Sequence, residues 1–158
     1  MFRTMRRAEK AMDIAQAEDI LRTATHGVLS VCGDGGYPYG VPVSFAYDAG
    51  KIYFHSTSQT SHKIDSIRNN EKVSLCVVTE DNVKPEKFDT AYTSVIAFGR
   101  ARVLSKDDEI NYAMVEILNK YSKDFMESGK KYIAASKAQD KFVAVEVTVE
   151  NITGKIGR

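Results

Sequence analysis

The residues with the most chemical potential lie within 53–65: His55, Ser56, Thr57, Ser58, Thr60, Ser61, His62 and Lys63 follow the apolar triplet Ile52, Tyr53 and Phe54. Hydroxyl groups donate hydrogen bonds to phosphate oxygens, and Lys63 supplies a full positive charge. The order of residues predicts a strand, a hydroxyl-rich loop and then a helix that begins near Ser61. A helix start offers unpaired backbone N–H groups and the positive end of a dipole, which together suit an anion. Two of the three histidines of the chain fall in this stretch. From these residues alone two readings stand: a phosphate-holding loop, or an ordinary helix N-terminus with exposed polar side chains, because short anion-like motifs are common. His55 likewise reads either as a strand histidine bonded to a carbonyl or as a group that meets a substrate, its titration range suiting neutral pH. His26, at the start of a strand, reads as structural.

The elements that must position these groups are mostly strands. Gly27–Cys32 is a run of β-formers, and Gly33 to Gly36 a turn. Residues 39–47 read as one strand, in which Pro42 marks an edge, bulge or start. A turn at Asp48, Ala49 and Gly50 leads into a strand over 51–55, completing a hairpin-linked antiparallel meander. Helix is expected over 17–25 and 61–69, strand over 73–79, and a long polar loop over 80–90. In 94–104, Val95, Ala97, Gly99, Ala101 and Val103 share one face by alternation. Arg100 and Arg102 occupy the other face, as exposed strand charges. Ile110, Met114, Ile117 and Leu118 make a helical stripe ending near Tyr121, a short helix is expected over 129–137, and the last strand over 142–149. Six strands with short helices between them predict a mainly β protein, a small antiparallel barrel with peripheral helices in a single domain over 1–158.

The chain has 158 residues and a formal net charge of +1. Nucleic-acid binders carry an obvious basic footprint, so no nucleic-acid partner is expected. No apolar run reaches the roughly 20 residues that span a bilayer, so no membrane association is expected and the cytoplasm is the expected location. Cys32 and Cys76 both read as buried free thiols in strands, and no spacing suggests a metal site.

Six blocks, in order, resemble the pyridoxamine-5′-phosphate-oxidase-like FMN-binding split-barrel proteins, and among them the 5-nitroimidazole-resistance (Nim-type) branch. They are Met5-Arg6-Arg7; the segment 35–43, which holds Gly36, Tyr37, Pro38, Tyr39, Gly40 and Pro42; Ile52-Tyr53-Phe54-His55-Ser56; His62-Lys63-Ile64-Asp65; the segment 94–101; and Ile152-Thr153-Gly154-Lys155. The resemblance implies a six-stranded antiparallel split β-barrel that binds FMN as a homodimer. It implies that Val41, Pro42, Val43, Ser44 and Phe45 lie along the flavin ring, and that His55 and Ser56 line the ring and ribityl region. Ser61, His62 and Lys63 would hold the phosphate, and Lys155 would reach the cofactor across the dimer. His55 is the expected catalytic residue.

The implied activity is FMN-dependent reduction of a nitro-aromatic small molecule of the 5-nitroimidazole kind, with a reduced nicotinamide or another donor as electron source. The alternatives are a general flavin reductase with another substrate and a non-catalytic flavin-binding protein. The oxidases themselves use a more arginine-rich phosphate site and a C-terminal Trp/Arg segment. This chain has His62-Lys63 at the matching place and no Trp, so oxidation of pyridoxamine phosphate is not expected. Nim-type proteins commonly carry Trp where this chain has Ile152.

Overall fold

A computed structural model describes every residue except Ser58, so that one hydroxyl of the 56–61 loop lies outside the described residues. Seven strands form one antiparallel sheet: β1 (Gly27–Cys32), β2 (Pro38–Val43), β3 (Ala46–Asp48), β4 (Lys51–Ser56), β5 (Lys72–Lys84), β6 (Asp89–Val103) and β7 (Val143–Gly157). The order across the sheet is β2-β1-β5-β6-β7-β4-β3. Helices α1 (Ile14–Thr23), α2 (His62–Asn69), α3 (Asp107–Tyr121) and α4 (Met126–Ala138) pack around it. The mainly β, split-barrel arrangement expected from the sequence is present.

Several expectations about the strands need correction. Residues 39–47 are two strands, not one, because the chain leaves the ladder at Ser44 and Phe45. β2 pairs with β1 at one edge of the sheet, and β3 pairs with β4 at the other. The chain therefore crosses from one edge of the sheet to the other at this corner, and no ladder joins β2 to β3 among the described residues. This makes seven strands instead of six and removes the simple three-strand meander. The expected loop over 80–90 is a two-stranded arm: β5 and β6 stay in register from Glu80–Thr93 to Lys84–Asp89 and turn through Pro85–Lys87. Val83 and Phe88 on this arm are exposed, so no buried face imposes an alternating pattern there. Finally, β7 continues to Gly157, carrying Ile152, Thr153, Gly154 and Lys155 inside the ladder with β6.

Helix α1 starts at Ile14, earlier than expected, because the Asp13 carboxylate accepts the Gln16 N–H at 2.8 Å and caps it. The core inside the barrel gathers Leu21, Leu29, Phe45, Phe54, Ile64, Leu75, Val95 and Val145, all essentially inaccessible to water. Each such Leu or Phe contributes about 1.5–3 kcal/mol by leaving water. The alternate residues of β4 and β7 face outward under α3 and α4. There Tyr53 and Ala144 join Met114, Ile117 and Ile133 in a second core. Cys32 is exposed and Cys76 half-buried, contrary to the expected burial of both, because each falls on the outer face of its strand; both are free.

Candidate functional site

Alternation along β4 decides which side chains can meet. Phe54 and Ser56 point into the barrel and are buried, while His55 points outward beneath α3 and α4. His55 and Ser56, expected together along one ligand, therefore stand on opposite faces of the strand. His55 opens into a cavity of about 690 Å³ between the sheet and the α3–α4 pair, within the usual size range for small-molecule sites. Met114, Ile117, Leu118, Phe125, Ile133 and Phe142 provide apolar walls, and Ser44, Tyr121, Ser136 and Lys141 add polar groups. The Phe142 ring stands edge-on to the His55 imidazole, with centroids 6.4 Å apart. His55 keeps an exposed side, yet desolvation by the groups packed around its ring holds its pKa below its ordinary value, and the nearby Lys63 charge lowers it further. At neutral pH the ring is thus an uncharged imidazole with one donor and one acceptor.

The corner that brings Ser44 to this cavity is held by Tyr121, the last residue of α3. Its phenol oxygen accepts the Phe45 N–H at 2.9 Å. Its single hydrogen is shared between the carbonyls of Thr25 at 2.6 Å and Phe45 at 2.7 Å. Phe45 has no ladder partner here, so the phenol satisfies backbone groups that would otherwise be stranded. Burial pushes the Tyr121 pKa up, which keeps the phenol protonated. Behind it, the Lys120 ammonium lies 4.3 Å from the centre of the Phe45 ring.

Of the five residues expected along the flavin ring, Val43 and Phe45 are buried in the barrel, Val41 is half-buried, and Pro42 and Ser44 face outward. Ser44 is the member that lines the cavity.

Ser61 is the N-cap residue of α2, yet its side chain makes no capping bond. Its Oγ is buried and, among the described residues, has no hydrogen-bond partner. A buried hydroxyl left so costs about 1–3 kcal/mol, and a ligand oxygen at the helix start would relieve it. Lys63 has no carboxylate partner among the described residues, and its charge is felt at His55. His62 is engaged elsewhere. Its ring stacks on Tyr39 with centroids 4.0 Å apart, and Nε2 accepts the Asp34 N–H at 3.3 Å. With Nε2 as acceptor, the ring proton resides on Nδ1, the remaining donor.

Lys155 is not part of this cluster within one chain. Ala144, opposite His55, and Lys155 are eleven positions apart on β7, roughly 35 Å along an extended strand. The Lys155 ammonium instead lies 5.5 Å from the Tyr92 ring centre. Arg100 pairs with Glu71 and Glu150, and Arg102 with Glu109 and the buried Glu146. Because β6 is central, these arginines bind neighbouring carboxylates rather than guard a free edge. No group of three or more potential metal ligands occurs among the described residues, and no helix among them is long and apolar enough to cross a membrane.

Tyr121, Phe142 and Lys141 entered none of the motifs. Their places in the cavity arise from contacts distant in sequence, and the only local cue is the pair of aromatics that end α3 and precede β7.

A family model described as pyridoxamine 5′-phosphate oxidase matches residues 13–156. No curated protein matches. Among solved structures, one described as a candidate 5-nitroimidazole antibiotic resistance protein from Bacteroides thetaiotaomicron is 21% identical. The match covers 92% of this chain and 86% of that one, with a TM-score of 0.71. The conserved hypothetical protein Rv2991 from Mycobacterium tuberculosis is 19% identical, with 97% and 90% covered and a TM-score of 0.80. An FAD-binding protein from Mesorhizobium loti is 19% identical, with 94% and 98% covered and a TM-score of 0.66.

Proposed function

The chain belongs to the pyridoxamine 5′-phosphate oxidase family, and from that premise we propose that it is a flavoprotein oxidoreductase that holds FMN and reduces small nitro-aromatic compounds of the 5-nitroimidazole kind. The observation that carries the proposal is the buried hydroxyl of Ser61 at the head of α2, which has no hydrogen-bond partner among the described residues, with Lys63 beside it and the His55 cavity adjoining. Flavin-binding and nitroimidazole-resistance relatives of the same fold support it.

In this reading Ser61, Lys63 and the first-turn N–H groups of α2 bind the FMN phosphate, with the Nδ1–H of His62 as a further donor. The segment 41–45, through its outward-facing Pro42 and Ser44, and His55 bind and orient the flavin ring. When bound, the flavin supplies electron transfer from a reduced nicotinamide or similar donor to the acceptor. The apolar walls of Ile117, Leu118 and Phe142 exclude water from an aromatic acceptor and stack against it. His55, neutral and within reach of the cavity, donates a hydrogen bond from its one N–H to an acceptor oxygen, and protons for the reduced product come from solvent.

The working unit in this proposal is a homodimer. The outer face of the β1-β5-β6 sheet supports it, since it exposes Val28, Val78, Ile96 and Phe98 together. Lys155 would then serve the partner's flavin.

The test is the visible spectrum of the purified protein, followed by FMN titration of Lys63→Ala. Flavin absorption bands and a loss of FMN affinity on the order of tenfold or more in the variant are expected. Lys87→Ala, at the exposed arm tip, should bind FMN as the wild type does. Lys51 is unsuitable for that comparison because its ammonium pairs with buried Glu146 at 3.0 Å. A protein that neither carries nor takes up FMN refutes the proposal.

A further inference from the structure

Charge is distributed unevenly around the His55 cavity. Among the residues lining it there is one lysine, Lys141, and no aspartate or glutamate. Lys63 lies close enough for its charge to act on His55. The Lys120 ammonium sits behind the aromatic wall, 5.5 Å from the centre of the Tyr121 ring. None of these three lysines has a carboxylate partner among the described residues, although Lys51, Arg68, Arg100, Arg102 and Lys137 all do. Lys141 in the lining and Lys63 near His55 are therefore uncompensated cations at a mostly apolar space, while the Lys120 ammonium is turned toward the Leu21 carbonyl, 3.4 Å away. In such a space the field is screened less than in water, and an anion gains more from each cation.

We infer that the cavity binds an aromatic carboxylate, the ring between the Phe142 side and the α3–α4 wall and the carboxylate at Lys141. Phe125, Ile133 and Phe142 supply the faces for the ring, and Lys141 stands beside Phe142 where β7 begins. Ser136, itself buried, gives a hydroxyl donor for the second carboxylate oxygen. His55 remains free to bond a substituent at the opposite end of the ring. This inference rests on the proposed function for its substrate site and narrows the substrate class: an acidic nitro-aromatic should be preferred to a neutral one.

The test is calorimetric titration of the full chain, as purified, with 4-nitrobenzoate and with its neutral isostere 4-nitrobenzamide. The benzoate should bind on the order of tenfold more tightly, and the margin should shrink as salt is raised from 50 to roughly 500 mM. Lys141→Met should reduce the margin to about twofold or less, whereas Lys131→Met, on the exposed side of α4, should leave it intact. Equal affinities in the wild type, tighter binding of the amide, or no binding of either compound overturns the inference. A margin that survives Lys141→Met overturns the role of Lys141. The wild-type comparison decides the main point even if that variant fails to fold. A flavin-bearing protein with no preference for the acid overturns this inference alone, whereas a protein that binds the acid but no flavin overturns the proposed function alone.

Discussion

Replacing Tyr121 by Phe removes one oxygen and tests whether a side chain holds the barrel's corner. That oxygen accepts the Phe45 N–H at 2.9 Å and lies within 2.7 Å of the Phe45 carbonyl and 2.6 Å of the Thr25 carbonyl. Phe45 is fully buried, so its N–H has no route to water when the phenol oxygen is gone. A buried donor stranded in this way costs about 1–3 kcal/mol, and the lost hydroxyl-to-carbonyl bond adds about 0.5–1.5 kcal/mol. Together they give a destabilisation of about 1.5–4.5 kcal/mol. For a chain of this length that corresponds to a fall in Tm of roughly 3–18 °C. Equilibrium urea denaturation at fixed protein concentration measures it: the midpoint should fall while the slope stays the same. Tyr132→Phe is the control, because Tyr132 is 74% exposed, and it should change stability by less than about 0.5 kcal/mol. If Tyr121→Phe behaved like Tyr132→Phe, the phenol would not be what secures the corner.

Two further outcomes are expected. Lys120 is half-buried and has no carboxylate partner among the described residues, and its desolvation brings the pKa down to about 8, below the ordinary value near 10.4. Below pH 8 the ammonium is charged in both folded and unfolded chains and bears its desolvation. Between pH 8 and about 10 the unfolded chain holds the extra proton, so stability rises with pH. Lys120→Met should raise Tm at pH 7 by a few degrees and flatten that alkaline rise, as thermal melts across pH 7–10 would show. Gly99→Ala should destabilise by about 3 kcal/mol in urea denaturation, because a Cβ there would sit 2.3 Å from the Thr148 carbonyl oxygen and 2.8 Å from Val147 Cγ1.

What could be read from the sequence depended on where burial leaves a mark. Val95, Ala97, Gly99 and Ala101 alternate because one face of β6 fills the barrel, so that strand was legible. The tip of the arm, from Glu80 to Thr90, has no buried residue and carries no such pattern, although Ala91 and Thr93 behind it are buried. The break at Ser44 and Phe45 was hidden, since both sides of it are β-formers and the residue that stabilises it, Tyr121, is 76 positions away. The Asp13–Gln16 cap of α1 was a local signal and could have been used. At the site, the hydroxyl, histidine and lysine cluster pointed to the head of α2 and to His55. The stacking that occupies His62 depends on Tyr39, and the cavity walls depend on two helices far along the chain. The separation of Lys155 from His55 within one chain followed only once β7 proved to run on to Gly157.

The position of β7 has a bearing on how the molecule is made. It is the last strand in the chain, yet it lies between β6 and β4 and pairs with both over long stretches. Until it emerges, the nascent polypeptide holds two unconnected pieces, the β2-β1-β5-β6 ladder and the small β3–β4 hairpin. Both pieces present raw backbone edges that can pair with a neighbour on the polysome. His55 sits on one of those edges, so the strand that carries it is completed only after β7 has been made, and a product that ended before Val143 would lack the wall of the His55 cavity as well as the β6-β7-β4 ladder.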